Sequence, residues 1–228
     1  MTSKILVKDK EVVIPGQELA EGMDFLPSQG SFRDGNSIIS SYLGLVSIHE
    51  RFVKVIPLTG RYNPKIDDLV IGRVIDMGFY GWVLDIGCAY NATLSIRDAA
   101  GFIEKNDDLT KYYDYGDVVV AQIFRVSKKK QIDLTTKGPG LKKLIGGKII
   151  DVTPSKVPRM IGKQGSMIGM IKDASNCNII VGQNGRVWIK GENLDKEILV
   201  TDAIMKIEKE SHIDGLTDKI KKLLESKQ

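Results

Sequence analysis

Residues able to carry bond-breaking chemistry are scarce in this chain of 228 residues, which holds two cysteines and two histidines. Cys88 and Cys177 fall in segments that read as different domains, so no disulfide framework is expected and a reducing cytoplasm is the simpler setting. His49 and His212 stand apart from each other and from both cysteines, which leaves no metal-ligand spacing. No apolar run is long enough to cross a bilayer, and the amino terminus carries no signal-peptide pattern. The glycines before Lys148 do not build a phosphate-binding P-loop, because Ile149 follows where Ser or Thr is required and no Gly stands five residues before Gly147. The carboxylates at Asp67-Asp68, Asp76 and Asp107-Asp108 lie at turns and strand ends without a histidine or basic partner in an array, and they read as solvated charge. No catalytic residue and no cofactor are assigned.

What the chain does have is an uneven charge distribution. The formal net charge is +4, yet Arg125–Lys190 holds 14 Lys/Arg against 3 Asp/Glu, whereas residues 67–124 hold 4 against 10. Such a basic zone is the electrostatic footprint of a polyanion site. At its centre lies Val-Pro-Arg-Met-Ile-Gly-Lys-Gln-Gly, residues 157–165. Gly162 and Gly165 bracket Lys163 and Gln164, and glycines there let a sugar-phosphate backbone approach the main chain. The N–H groups opening the next helix, at Ser166 and Met167, are expected to point at that phosphate, with Lys163 and Arg159 adding positive charge. Around the loop the periodicity predicts a strand at 148–152, a short helix at 155–161 and a helix whose apolar face runs Met167, Ile168, Met170, Ile171, Ala174. A hairpin of 178–181 and 186–190 about a Gly-Gln-Asn-Gly turn follows, then a helix over 194–210. This order, with its GXXG loop, resembles a type I KH domain, a fold that clamps about four nucleotides of single-stranded RNA.

Upstream, residues 67–136 read as five short strands (70–77, 81–86, 91–96, 117–126 and 131–135), with a lysine turn at 128–130 and an irregular crossing after the third strand. That spacing fits a five-stranded OB barrel. The run Gly72-Arg73-Val74, Met77, Phe79-Tyr80-Gly81-Trp82-Val83 resembles the opening of the S1-type RNA-binding domain. The resemblance places Tyr80 at the family's first aromatic position and Val83 at the second, with Trp82 one residue earlier. Leu94 stands where a histidine is usual. Tyr80 and Trp82 are taken as candidate base-stacking residues, and Lys129 of the lysine turn as a backbone contact.

Residues 1–60 contain apolar runs at 12–15, 38–48 and 52–58 that read as strands, a turn at His49-Glu50-Arg51, and a loop over 28–37. Arg33 and Arg51 are expected to meet solvent. Glycines across 136–147 mark the boundary between barrel and KH segment. Ile213, Leu216, Ile220, Leu223 and Leu224 form an amphipathic stripe, the usual mark of plain packing.

The expected architecture is multidomain, mainly β and then α+β: a β-rich domain over 1–64, an S1-type OB barrel over 65–137, a type I KH domain over 146–212 and an amphipathic tail over 213–228. This order resembles the RNA-binding cap subunits of the archaeal exosome. The resemblance implies a non-catalytic protein whose amino-terminal domain fastens it, as one of three caps, to a hexameric ring of ribonuclease-PH-like subunits. Single-stranded RNA would be captured by Arg159, Gly162, Lys163, Gln164, Gly165 and Ser166, with Tyr80, Trp82 and Lys129, and threaded toward 3′-to-5′ degradation. No membrane partner is implied. The alternative is a transcription elongation factor of the NusA type, which also places S1 before KH but carries two KH modules, where one GXXG is visible here.

Overall fold

The computed structural model describes residues 3–101, 103–104, 107–211 and 215–226. His212 and Ile213 therefore lie outside the described residues. The chain divides into two compact units, Met1–Gly60 and Arg61–Gln228.

The first unit is all β. Its strands are β1 (Lys4–Ile5), β2 (Val12–Val13), β3 (Glu18–Glu21), β4 (Leu26–Pro27), β5 (Ser31–Asp34), β6 (Ser37–Ser40), β7 (Gly44–His49) and β8 (Phe52–Pro57). They form two four-stranded sheets, β1-β3-β6-β5 and β2-β7-β8-β4. Between them Val13, Leu19, Ile38, Val46, Val53 and Val55 are buried. Two expectations are corrected. The segment 28–37 is not all loop, because Ser31–Asp34 pairs antiparallel with Ser37–Ser40 across the two-residue turn Gly35-Asn36. The run 38–48 is not one strand, because β6 and β7 belong to different sheets. Arg33 is not a solvent residue either: its guanidinium donates to the carbonyls of Gly22 and Phe25 and pins that loop.

The second unit begins with the barrel strands β9 (Leu69–Gly78), β10 (Gly81–Asp85), β11 (Ala92–Ser95), β12 (Val118–Val126) and β13 (Ile132–Thr135). The order β13-β11-β10-β9-β12 closes on itself through β12–β13, and β11 and β13 run parallel, so the sheet is a closed OB barrel. A two-residue strand β14 (Lys143–Leu144) continues the sheet by pairing with Val118–Val119.

A KH domain follows: β15 (Lys148–Asp151), α1 (Val157–Ile161), α2 (Ser166–Ser175), β16 (Asn178–Val181), β17 (Arg186–Lys190) and α3 (Leu194–Glu210). The three strands are antiparallel in the order β15-β17-β16. Val187, Ile189 and Ile179 on one face pack against Met160, Ile171, Val200, Ala203 and Ile204 of the helices. The amphipathic tail is a helix, α4 (Leu216–Ser226), which sinks Leu216, Ile220 and Leu224 into the same core rather than standing apart. The opposite face of the KH sheet is largely covered by the barrel. Trp188, with Ile149 and Ile180 beside it, packs on Ile71, Val120 and Leu144 from the barrel side, so barrel and KH domain share a small core of their own.

Candidate nucleic-acid interface

The loop between α1 and α2 owes its shape to its two glycines, for different reasons. Gly162 has φ 75° and ψ 176°, and a Cβ there would lie 2.8 Å from both the backbone N and the Cβ of Met167. No larger residue fits without moving α2. Gly165 has φ 80°, but a Cβ on it would meet nothing within 4 Å. Its freedom serves the backbone turn, and the space above it stays open to a ligand. Gln164 between them is held left-handed at φ 53° and ψ 30°, a conformation uncommon outside glycine. Lys163, Gln164, Ser166 and Arg159 are all exposed, so one loop and the adjoining helix present them together. One detail differs from expectation. The Ser166 N–H donates to the Lys163 carbonyl in a 3₁₀ turn and is already spent, which leaves Ser166 its hydroxyl.

The basic zone sorts into two kinds of lysine. Lys156 donates to the Glu208 carbonyl at 2.8 Å, Lys190 to the Ile145 carbonyl at 2.9 Å, and Lys143 pairs with Asp117. These fasten the fold. Lys142, Lys148, Arg159, Lys163 and Lys172 remain exposed on the surface.

On the barrel, Tyr80 is 86% exposed at the β9–β10 turn, beside Phe79 at 96%. Trp82 is corrected: it is fully buried, its Nε1–H donates to the Tyr113 carbonyl at 2.8 Å, and its ring meets that of Tyr113 edge to face at 5.0 Å. An indole so held is barrel core and offers no face to a base. Lys129 is exposed on the β12–β13 turn. Because β9 and β12 are antiparallel neighbours, that turn lies at the opposite end of the barrel from Tyr80, and the structure does not bring the two together. Phe79 was missed as an exposed aromatic; its signal was its place beside Gly78 in a hairpin turn, where no barrel face can cover it.

Barrel and KH domain are joined by polar contacts that sequence reasoning did not find. The Asn184 amide reads the backbone of β9 as a neighbouring strand would. Its Oδ1 accepts from Ile71 N–H at 3.2 Å, and its Nδ2 donates to the carbonyls of Ile71 and Ile86 at 2.8 and 2.9 Å. Arg186 donates to the Asp85 carbonyl at 2.6 Å and pairs with the Asp85 carboxylate at 2.5 Å. Burial pushes that carboxyl upward, but hydrogen bonds from Arg186 and the Gly87 N–H outweigh it and hold Asp85 below its usual range. The Gln183 N–H adds a bond to the Leu69 carbonyl at 2.8 Å.

Comparison with known proteins agrees with this architecture. A KH domain family model matches residues 147–195. The exosome complex component Rrp4 of Thermococcus kodakarensis is 47% identical over 98% of this chain and 88% of its own length. The chain belongs to the Rrp4 family of exosome components. Another Rrp4, from Methanothermus fervidus, is 41% identical over 96% of this chain and 97% of its own. A crystal structure assigned as an exosome complex RNA-binding protein matches with a TM-score of 0.66 at 34% identity, over 74% of this chain and 97% of that one. For this Rrp4-family chain, no helix among the described residues is long and apolar enough to cross a membrane. Nor do the described residues gather three or more His, Cys, Asp or Glu side chains as a metal site.

Proposed function

We propose that this chain is a non-catalytic RNA-binding cap of an archaeal exosome, which captures single-stranded RNA and guides it into a ribonuclease-PH-like ring. The observation that carries the reading is the 162–165 loop. It is a left-handed turn with open space above Gly165 and an exposed Lys163, borne on a domain packed against an OB barrel, in a chain of the Rrp4 family. The loop holds the sugar-phosphate backbone, with Arg159 and the Ser166 hydroxyl beside it. Tyr80 offers an aromatic face to a base further along the strand, and Lys129 a cation at the other end of the barrel. Several weak contacts on one body raise the local concentration of RNA at the ring entrance.

The amino-terminal segment 1–64 is the part that fastens to the ring, with three caps on a hexamer and the cytoplasm as their setting. Support comes from the outer face of β2-β7-β8, where the register sets Val12, Leu45 and Ile56 side by side. Val12 is 55% and Ile56 46% exposed, an apolar face suited to a protein partner. The NusA-type alternative is not favoured by the family to which the chain belongs.

The test is fluorescence anisotropy of a labelled single-stranded RNA with the full chain. Lys163→Asp combined with Gln164→Asp sets like charge against phosphate and is expected to weaken binding at least tenfold, with the circular dichroism spectrum unchanged. Unchanged affinity would move the site away from this loop. The protein alone should leave RNA intact with Mg²⁺ or with phosphate, and shortening that copurifies with the polypeptide would overturn the non-catalytic reading.

A further inference from the structure

We propose that the connector between barrel and KH domain, residues 138–142, is the second wall of the RNA groove, and that Lys142 contacts the RNA backbone from that wall. This deepens the RNA-binding reading above and rests on it.

Beside the GXXG loop lies a groove of about 370 Å³, within the range of about 300–1,000 Å³ over which pockets enclose a compact ligand. One wall is α2, with Ile168 and Lys172. The floor is β16, with Ile179 and Val181. The opposite wall is the connector, with Pro139 and Lys142. The β16–β17 turn, which follows directly on the floor strand, is not available to close the groove. Gly182, Asn184 and Gly185 are buried, and the turn is spent on the barrel through Gln183 and Asn184. The connector stands where that turn does not reach.

The connector is already ordered for this role. The Leu141 N–H donates to the Gly138 carbonyl at 3.3 Å, and the Val120 N–H to the Lys142 carbonyl at 2.9 Å. Leu141 packs against the core shared by barrel and KH domain. Binding against a wall held this way does not add the cost of ordering a loop. The backbone of Lys142 is thus tied to the barrel while its side chain is exposed at the groove.

Charge decides the occupant. The lining has a lysine on each wall, an aliphatic floor and no acidic side chain. Aliphatic surface suits unstacked bases, and the two lysines suit phosphates on either side of them, so the occupant is single-stranded RNA running from the GXXG loop. The exposed amine of Lys137, immediately before the connector, does not line the groove, which supplies an internal control.

The experiment compares Lys142→Glu with Lys137→Glu in the full chain, by anisotropy with the same labelled RNA over a series of salt concentrations. Lys142→Glu is expected to weaken binding at least fivefold and to lower the slope of log affinity against log salt by about 0.7, one single-strand phosphate contact. Lys137→Glu, a charge change of equal size, should cost less than twofold. RNA carrying 4-thiouridine should crosslink to the 138–142 peptide. Equal effects of the two variants, or crosslinks near 163–166 with none on 138–142, would overturn the proposal. If the Lys163→Asp, Gln164→Asp protein still loses binding in that case, the connector wall alone is wrong. Insensitivity to all of these changes would overturn it together with the loop reading.

Discussion

Replacing Asn184 by Ala tests whether barrel and KH domain are one folded body. The side chain is 5% exposed and makes three hydrogen bonds across the junction. After truncation the Ile71 carbonyl keeps a bond from Arg186 at 3.3 Å, but Ile71 N–H and the Ile86 carbonyl lose their Asn184 partner. Each buried polar group left unpaired costs about 1–3 kcal/mol, so the two orphaned groups should cost the variant about 2–6 kcal/mol. With a urea dependence of about 2 kcal/mol per molar, the middle of the usual range, the midpoint should fall by about 1–3 M at unchanged slope. The chain's two tryptophans make the assay direct: Trp188 lies in the shared core and Trp82 inside the barrel. Asn184→Asp should be at least as damaging, because it sets a carboxylate against two carbonyl oxygens. A midpoint shift below about 0.3 M for both variants would show that the amide does not hold the junction, and the reasoning would fail.

Gly162→Ala meets both a φ of 75° and a contact at 2.8 Å; it should cost about 1–3 kcal/mol in a denaturation curve. Gly165→Ala meets open space, so its melting should change little beyond the backbone strain while RNA binding by anisotropy weakens several-fold. Tyr80→Ala should weaken RNA binding by about 1–3 kcal/mol without changing stability. Trp82→Ala should instead cost about 3–5 kcal/mol of stability, and urea titration beside anisotropy separates the two. For pH, the Asp85 carboxyl is held below its usual value in the folded state. Its contribution is therefore complete above about pH 4, the unfolded carboxylate value, and is lost as pH falls toward the folded value. Urea midpoints measured from pH 7 to pH 3 should fall more steeply for the natural chain than for Asp85→Asn.

The KH segment was legible because each of its elements carries its own pattern. The helix over 194–210 and the strands at 178–181 and 186–190 are found at those residues. The amino-terminal unit was harder because three of its eight strands have four residues and three have two, too short for alternation to separate them from turns. Trp82 was misread although the signal was present. Trp82, Leu84 and Ile86 alternate, and all three are buried, so the parity that puts Leu84 inside puts Trp82 inside and turns Val83 outward. The Asn184 contacts were not legible at all. Gly-Gln-Asn-Gly reads as a hairpin turn, which it is, and nothing local says that its amide meets a strand 113 residues away.

In the proposed reading, the junction is what lets two modest surfaces serve one strand of RNA. The barrel carries an acidic balance and so lacks the electrostatic grip of the KH side; it contributes an exposed tyrosine near one end of β9. The KH domain is held near the other end, at Leu69 and Ile71. The strand Leu69–Gly78 is ten residues long, so its two ends stand at most roughly 30 Å apart at about 3.3 Å per residue. A flexible linker would let that distance vary, and the second contact would then lose most of its effective concentration. Here β14 is paired into the barrel sheet, Leu141 is packed, and the Asn184 and Arg186 bonds cross from one domain to the other. The turn that would otherwise overhang the groove is the piece spent to fix this spacing, and the connector that replaces it is ordered by the same contacts.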